Sequence, residues 1–487
     1  MHFITDYKLE NFILNTKWED LPVEVQTRSR VCFIDLMGAL LVGSCSDQFM
    51  AGVKLAKTIF GQGNITVIGS KEKFSFMGAA SAMGHSSNAY DIDDGHNIIR
   101  AHPGTSFIGG VLAAAYEKDI SYKELLTTLV VSYETTIRMG QAIMDYYKFA
   151  HSSGTFGAVG IAAGVGRLYG FTKEQMNNVL SVAEFNAPLG PGIRSVEYPS
   201  MNKDGVPFGV MIGSLAVMET LCCFTGNKNL LEADEYRHYL DDLYENYEIM
   251  NLYFKPYTCC RWAHPAIDSC LEIMRKYNIT HQDIKQVTIY TFKPATMLSK
   301  IIPKTADEAQ YNIAYPVAAA IVTGDFGLNQ ITREAFNNPE IISLMSKLSF
   351  QVDPDIDKQF PQKRICRAEI ITNNNKKYIS SDCEPRGEAH ENIGIKWISE
   401  KFKRITEPVI TDDFKDYILD IMEKELDFSI VKLVDEINAN LKSLEKAPCH
   451  LLGFENTNVE KTNWKKSAEF LVTRDSRNVY KNLKLRI

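Results

Sequence analysis

Basic residues are in the minority in this chain: 53 Lys and Arg face 60 Asp and Glu, a net charge of −7 at pH 7. A nucleic-acid partner, which a basic face would attract, is therefore not expected. No apolar run reaches the roughly 20 residues that span a bilayer. Val31 to Gly43 and Phe107 to Tyr116 come nearest, and both are interrupted by glycine. No membrane partner is expected either. Cysteine is thin, with 10 in 487 residues and none at Cys-x-x-Cys spacing, which argues against a disulfide framework or a zinc ribbon. The stretch Met1 to Lys8 lacks the basic region, apolar run and small-residue site of a signal peptide, so a cytoplasmic location is expected. Long blocks of like charge, internal repeats and low-complexity linkers are also missing.

What is present is an ordinary globular composition, 45% hydrophobic and 23% charged, in a chain long enough for more than one domain. The first half reads as successive helices. Asp20 and Pro22 open one that runs to Gly43, and Asp47 caps a second that stops at Gly61. After a short strand near Ile65, a helix rich in Ala, Gly and Ser runs from Phe74 to Asn88. Pro103 opens the next, Ser121 caps Tyr122 to Met139, and Gly157 to Tyr169 is again rich in small residues. Thr172 and Gln175 form a capping box. Helices over 207–223 and 265–277 complete the series; their small-residue faces predict close helix–helix contact in a buried bundle. Beyond Ile279 the pattern changes: strands are expected over 286–292, 350–352, 368–372 and 378–381, the last two joined by a turn at Asn373 to Asn375, with one helix over 309–323. Helical periodicity returns over 395–402, 411–423 and 429–444, and the last forty residues are polar and weakly periodic. The fold class is mainly α: a helical domain in two pieces, 1–268 and 391–487, with a smaller α+β lid domain, 269–390, inserted between them.

Five segments carry candidate chemistry. The loop from Asp91 to Gly104 holds Asp91, Asp93, Asp94, His96 and His102 within a dozen residues, between helices fit for burial. It is not an EF-hand, since positions six and twelve from Asp91 are His96 and His102. A transition-metal site stays open, although no ligand spacing supports it. His151 precedes a Ser/Gly-rich helix start, where backbone N–H groups favour anions. Lys203 lies in a loop before an apolar helix. The stretch 254–265 gathers Lys255, Cys259, Cys260, Arg261 and His264; a catalytic thiol there is the weaker reading, because Cys is usually a small buried residue. Tyr311 and Tyr315 flank the start of an Ala-rich segment. Each segment alone has a bland structural reading. Together, cations beside imidazoles on an acidic protein suit a substrate bearing carboxylates, with a His moving a proton.

These motifs, Asp91 to Gly104, the His151 segment, Lys203, Lys255 to Asp268 and Glu308 to Tyr315, resemble the MmgE/PrpD family in order along the chain, from about residue 5 to 430. That family includes 2-methylcitrate dehydratase, cis-aconitate decarboxylase and iminodisuccinate epimerase. The resemblance implies a helical domain with an α+β lid, a homodimer, and no metal or organic cofactor. It also implies chemistry through a carbanion next to a carboxylate. The family's site falls on Asp91, His102, His151 and Tyr315 as catalytic groups. Lys203, Lys255, Arg261, His264 and Asp94 are expected to bind the substrate. The chain departs from the decarboxylase at Gly95, where that enzyme has Thr, and at Cys260, where it has His. The 91–102 stretch is also about one residue longer.

The expectation is thus a cofactor-independent lyase, a dehydratase or decarboxylase, acting on a small di- or tricarboxylate. The alternatives are an epimerase that removes and returns a proton, and a non-catalytic carboxylate-binding homologue.

Overall fold

The structure is a computed structural model and describes residues 1–442. Helix dominates. Val23–Gly43, with Pro22 at its N-cap, is buried along nearly its whole length. The small-residue helices Phe76–Ser87 and Pro103–Lys118 pack against it, and with Ser153–Leu168 and Val206–Leu221 they pack on one another. Their glycines are what permit this. A Cβ on Gly154 would collide with the carbonyl of Gly205, and one on Gly209 with the carbonyl of Gly154. The start of Ser153–Leu168 is thereby held against the loop that carries Lys203 and Asp204.

Local signals account for many boundaries. Thr172 and Gln175 exchange the two hydrogen bonds of a capping box at the start of Lys173–Asn186. Ser121 caps a helix that runs on to Tyr147 rather than ending at Met139, because its buried stripe continues through Ala142 and Ile143. Ser46, not Asp47, caps Asp47–Leu55.

The strands after Ile279 form one four-stranded sheet. Ile284–Thr291 pairs in parallel with Leu348–Val352 and antiparallel with Cys366–Thr372, which continues as a hairpin into Lys377–Ile379. His264–Tyr277 packs on Cys366–Thr372. The single helix expected over 309–323 is two, Ala306–Gln310 and Ala314–Thr323. The chain breaks at Tyr311, and Asn312 Oδ1 accepts from the Tyr315 N–H at 2.8 Å to restart it. Ile395–Thr406 then returns to pack on Val23–Gly43, so chain on both sides of the sheet segment meets in one helical body. Among the described residues no single helix is long and apolar enough to cross a membrane. The polar stretch after Leu444 lies outside the described residues.

Candidate active site

The loop after Phe76–Ser87 is almost wholly buried. Asp91, Asp93 and Asp94 are each 1% exposed or less. Three carboxylates cannot be buried as anions without compensation, because desolvation costs several kcal/mol for each ion. Lys255 answers Asp91, and two further buried lysines from remote parts of the chain hold the loop's backbone carbonyls. Lys203 Nζ donates to the carbonyls of Asn88 (3.0 Å) and Ala89 and to Gln310 Oε1 (2.7 Å). Lys255 Nζ donates to the Asp91 carbonyl (3.1 Å) and to its Oδ1 (2.5 Å). Lys401 Nζ donates to the Ile92 carbonyl and to Asp35 Oδ1, both at 2.5 Å. The three ammonium groups grip successive carbonyls and fix the loop's course.

That grip holds strained backbone. Asp91, Arg100 and Lys203 have φ of 52°, 52° and 38°. This left-handed region costs a non-glycine residue roughly 1–3 kcal/mol where surrounding structure imposes it.

The loop serves His102, the N-cap of Pro103–Lys118. Its Nδ1 lies 2.9 Å from the Asp94 carbonyl and 3.1 Å from Asp93 Oδ2. Its Nε2 faces Asp91 Oδ1 at 3.5 Å and Asp204 Oδ2 at 3.4 Å. Burial and the Lys255 charge push this imidazole down. Asp93 and Asp91 overcome both and hold its pKa up at about 9. Asp93 is kept anionic in return: burial alone would raise it, but the His102 charge, Lys255 and the Thr105 hydroxyl hold it well below the usual carboxylate range. Thr105 and Asn88 donate to its two oxygens at 2.7 and 2.9 Å. His102 is therefore an imidazolium at neutral pH, oriented by a carboxylate behind it.

His151 is the opposite case. It precedes Ser152, the N-cap of Ser153–Leu168, and its ring lies 3.9 Å from that of Phe149, centroid to centroid. It is 2% exposed, and neither ring nitrogen has a hydrogen-bond partner. Burial without a compensating charge depresses its pKa to about 4. It is a neutral imidazole with its lone pair free.

Both rings line one cavity of about 340 Å³. Asp91, Asp204 and Cys260 share its polar wall with them; Trp262, Met297 and Phe360 supply apolar wall, and Tyr311 stands among them. Burial pushes the Cys260 thiol up to about 12, so it is not a thiolate at neutral pH. One ligand atom each from Asp91, His102 and Asp204 lies within 4.8 Å of the others, close enough to hold a metal ion. A cation there competes with the Lys255 ammonium on Asp91 and with the proton on His102, since ligation requires neutral imidazole.

The residues named from the sequence thus separate. His102, His151, Asp91 and Arg261 line the cavity. The structure places the other five outside that lining. Lys203 and Lys255 make their hydrogen bonds to loop carbonyls and to Asp91. His264 is fully buried, its Nε2 3.0 Å from the Cys259 carbonyl. Asp94 accepts from the Tyr133 hydroxyl and the Gly104 N–H inside the core, and burial with Asp35 nearby raises its pKa to about 7. Tyr315 donates to the Gln330 carbonyl at 2.7 Å and packs against Phe326 and Phe336. The helix break turns Tyr311 to the cavity instead. Asp93 belongs to the acidic loop singled out from the sequence, and Arg100 lies in the same stretch; Asp204, beside Lys203, and Arg364 carry no sequence signal of their own.

Gly95 has a physical reason. A Cβ there would strike the ring of Tyr253, which lines the cavity, so a larger residue at 95 is incompatible with Tyr253 as placed.

Comparison with known proteins gives matches over most of the chain. The MmgE/PrpD N-terminal domain matches residues 7–237 and the MmgE/PrpD C-terminal domain residues 257–425. A cis-aconitate decarboxylase-like protein (oryM) of Aspergillus oryzae is 23% identical over 447 residues, covering 83% of this chain and 91% of that protein. A cis-aconitate decarboxylase of Aspergillus terreus is 22% identical over 471 residues, covering 88% and 95%.

Proposed function

Because the chain belongs to the MmgE/PrpD family, we propose that it is a lyase acting on a small di- or tricarboxylate by acid–base chemistry at the carbon next to a carboxylate. The observation that carries this reading is the pair of imidazoles on one cavity, one held protonated and the other neutral. Two titratable groups pushed apart by their surroundings are what an acid and a base need at one pH. His151, with a free lone pair, takes a proton from the carbon. His102, an imidazolium, delivers one to a leaving hydroxyl or to a carbanion left by departing CO₂. Asp93 holds the ring of His102 in place. Elimination of water uses both rings; decarboxylation needs only the proton from His102.

The test is a turnover screen over citrate, 2-methylcitrate, cis-aconitate, iminodisuccinate and related acids. It would follow ultraviolet absorbance for a carbon–carbon double bond and deuterium entry from solvent. A lyase changes both. An epimerase, which the same two rings would serve, incorporates deuterium without the absorbance change. Tight binding of an acid with no turnover of any would leave a binding protein and sink the enzymatic reading.

We also propose a homodimer. Phe208, Met211, Ile212, Leu215 and Met218 share one face of Val206–Leu221, and Phe208 and Leu215 are 51% and 43% exposed. A contiguous apolar face of this kind marks an interaction surface. Sedimentation of wild type as a dimer and of Leu215→Asp as a monomer is the expected outcome; a monomeric wild type would refute it.

A further inference from the structure

The lysines do not reach the cavity, so a carboxylate of the substrate needs other cations. Three guanidinium groups stand on the cavity wall: Arg100, Arg261 and Arg364. Arg261 and Arg364 are 3% and 4% exposed and flank the same ring, with their guanidinium carbons 4.6 and 6.0 Å from the Tyr253 centroid. Arg261 donates through Nη2 to Glu388 Oε1 at 2.9 Å and through Nη1 to the Arg386 carbonyl at 2.8 Å. Arg364 donates through Nη1 to Asn97, whose amide in turn donates to Glu388 at 2.9 Å. The Nε–H of each arginine is buried without a partner. An unsatisfied buried donor on a charged group is costly, and such groups are normally paired. Arg100, exposed where the cavity meets solvent, is pushed down by burial and by the charge of Arg364 beside it. Glu388 is bound by Arg261 directly and by Arg364 only through Asn97, so the three guanidinium groups outnumber the carboxylate among them.

The geometry points to a carboxylate subsite formed by Arg100, Arg261 and Arg364, which holds a carboxylate of the substrate remote from the carbon that His102 and His151 serve. The inference rests on the reading of this cavity as a polycarboxylate site. It deepens that reading by assigning recognition to guanidinium groups rather than to Lys203 and Lys255. Planar N–H pairs match a carboxylate better than an ammonium does. One end of the cavity would then recognise and the other react.

Propane-1,2,3-tricarboxylate, a saturated acid that cannot undergo the proposed elimination, is the probe, with binding measured by titration calorimetry. Arg100→Gln is expected to weaken it about ten- to hundredfold, and Arg100→Lys to restore most of that loss. Arg364→Gln, with its melting point recorded to confirm folding, is expected to do the same. His102→Gln should keep wild-type affinity for the probe while losing turnover. This separates the subsite from the chemistry: if no acid in the screen turns over, the calorimetry still reports on the arginines. Wild type that does not bind the probe, or Arg100→Gln that binds it within twofold, would overturn the inference.

Discussion

Replacing Asp93 by Asn tests the electrostatic core of the site. The buried Asp93 carboxylate sits 3.1 Å from His102 Nδ1 and is the foremost group raising that imidazole to about 9. Asn is nearly the same size and can still accept from the Thr105 hydroxyl that now donates to Oδ2. The substitution removes charge with little change of shape. Burial and Lys255, which both press on His102, then act with only Asp91 left to oppose them among the foremost influences. The pKa of His102 should fall toward the ordinary 6.5. A fall from about 9 to 6.5 corresponds to about 3 kcal/mol of lost stabilisation of the imidazolium. At pH 8 the protonated fraction drops from about nine-tenths to about one-thirtieth, while at pH 5.5 it barely changes. The pH profile of kcat/KM is the assay. Wild type should hold a plateau from just above pH 4 to about 9, and the variant should lose about thirtyfold at pH 8 yet stay close to wild type at pH 5.5. A basic limb that does not move, or a loss equal at every pH, would show that Asp93 does not set the charge of His102.

The remaining predictions concern base, tyrosine, clamp and stability. His151→Ala should lower turnover by about two to four orders of magnitude, as expected for a lost proton-transfer group, with propane-1,2,3-tricarboxylate still bound; full activity would remove His151 from the mechanism. Tyr315→Phe should leave kcat within a few-fold of wild type, because its hydroxyl serves the Gln330 carbonyl, whereas Tyr311→Phe should change kcat or KM; steady-state kinetics on both variants decides. Lys401→Met strands the buried Asp35 carboxylate and should cost about 3–5 kcal/mol in denaturant unfolding, with most of it recovered when Asp35→Asn is added. Stability should also depend on pH with a definite sign. His102, raised in the fold, contributes fully below 6.5 and loses that contribution as pH rises through about 9. His151, depressed in the fold, opposes folding as pH falls from 6.5 toward 4. Removing His151 should therefore flatten the acid side of a plot of melting temperature against pH, and an unchanged slope would contradict its buried, neutral state.

How much was legible in the sequence follows from what kind of information each feature needs. Caps and turns are local, so the Thr172–Gln175 box and the hairpin at Asn373 to Asn375 could be read directly. The acidic loop was legible because three Asp and two His between small-residue helices have no packing explanation. Partnership is not local. Lys203 and Lys255 look like substrate ligands in a list of cations, yet their carbonyl partners lie 115 and 164 residues away. Lys401 stands in an unremarkable amphipathic helix, and nothing nearby in sequence indicates that it reaches Ile92. Tyr311 and Tyr315 are separated by a helix break that is invisible in the sequence, and it is Tyr311 whose ring lines the cavity. Arg100 lies in the acidic loop and Arg364 far along the chain outside any motif, and only the cavity brings them together.

The three-lysine grip also bears on how the chain folds. The bonds from Lys203, Lys255 and Lys401 close loops of 115, 164 and 309 residues around one short stretch. Such distant closures are entropically late events, so the backbone around Asp91 cannot take its strained course until the far end of the described chain has docked. The geometry of the proposed site then depends on complete assembly. A chain lacking Ile395–Thr406 would retain every residue of the cavity but lose the Lys401 hold on Ile92, with the Asp35 carboxylate unanswered in its interior.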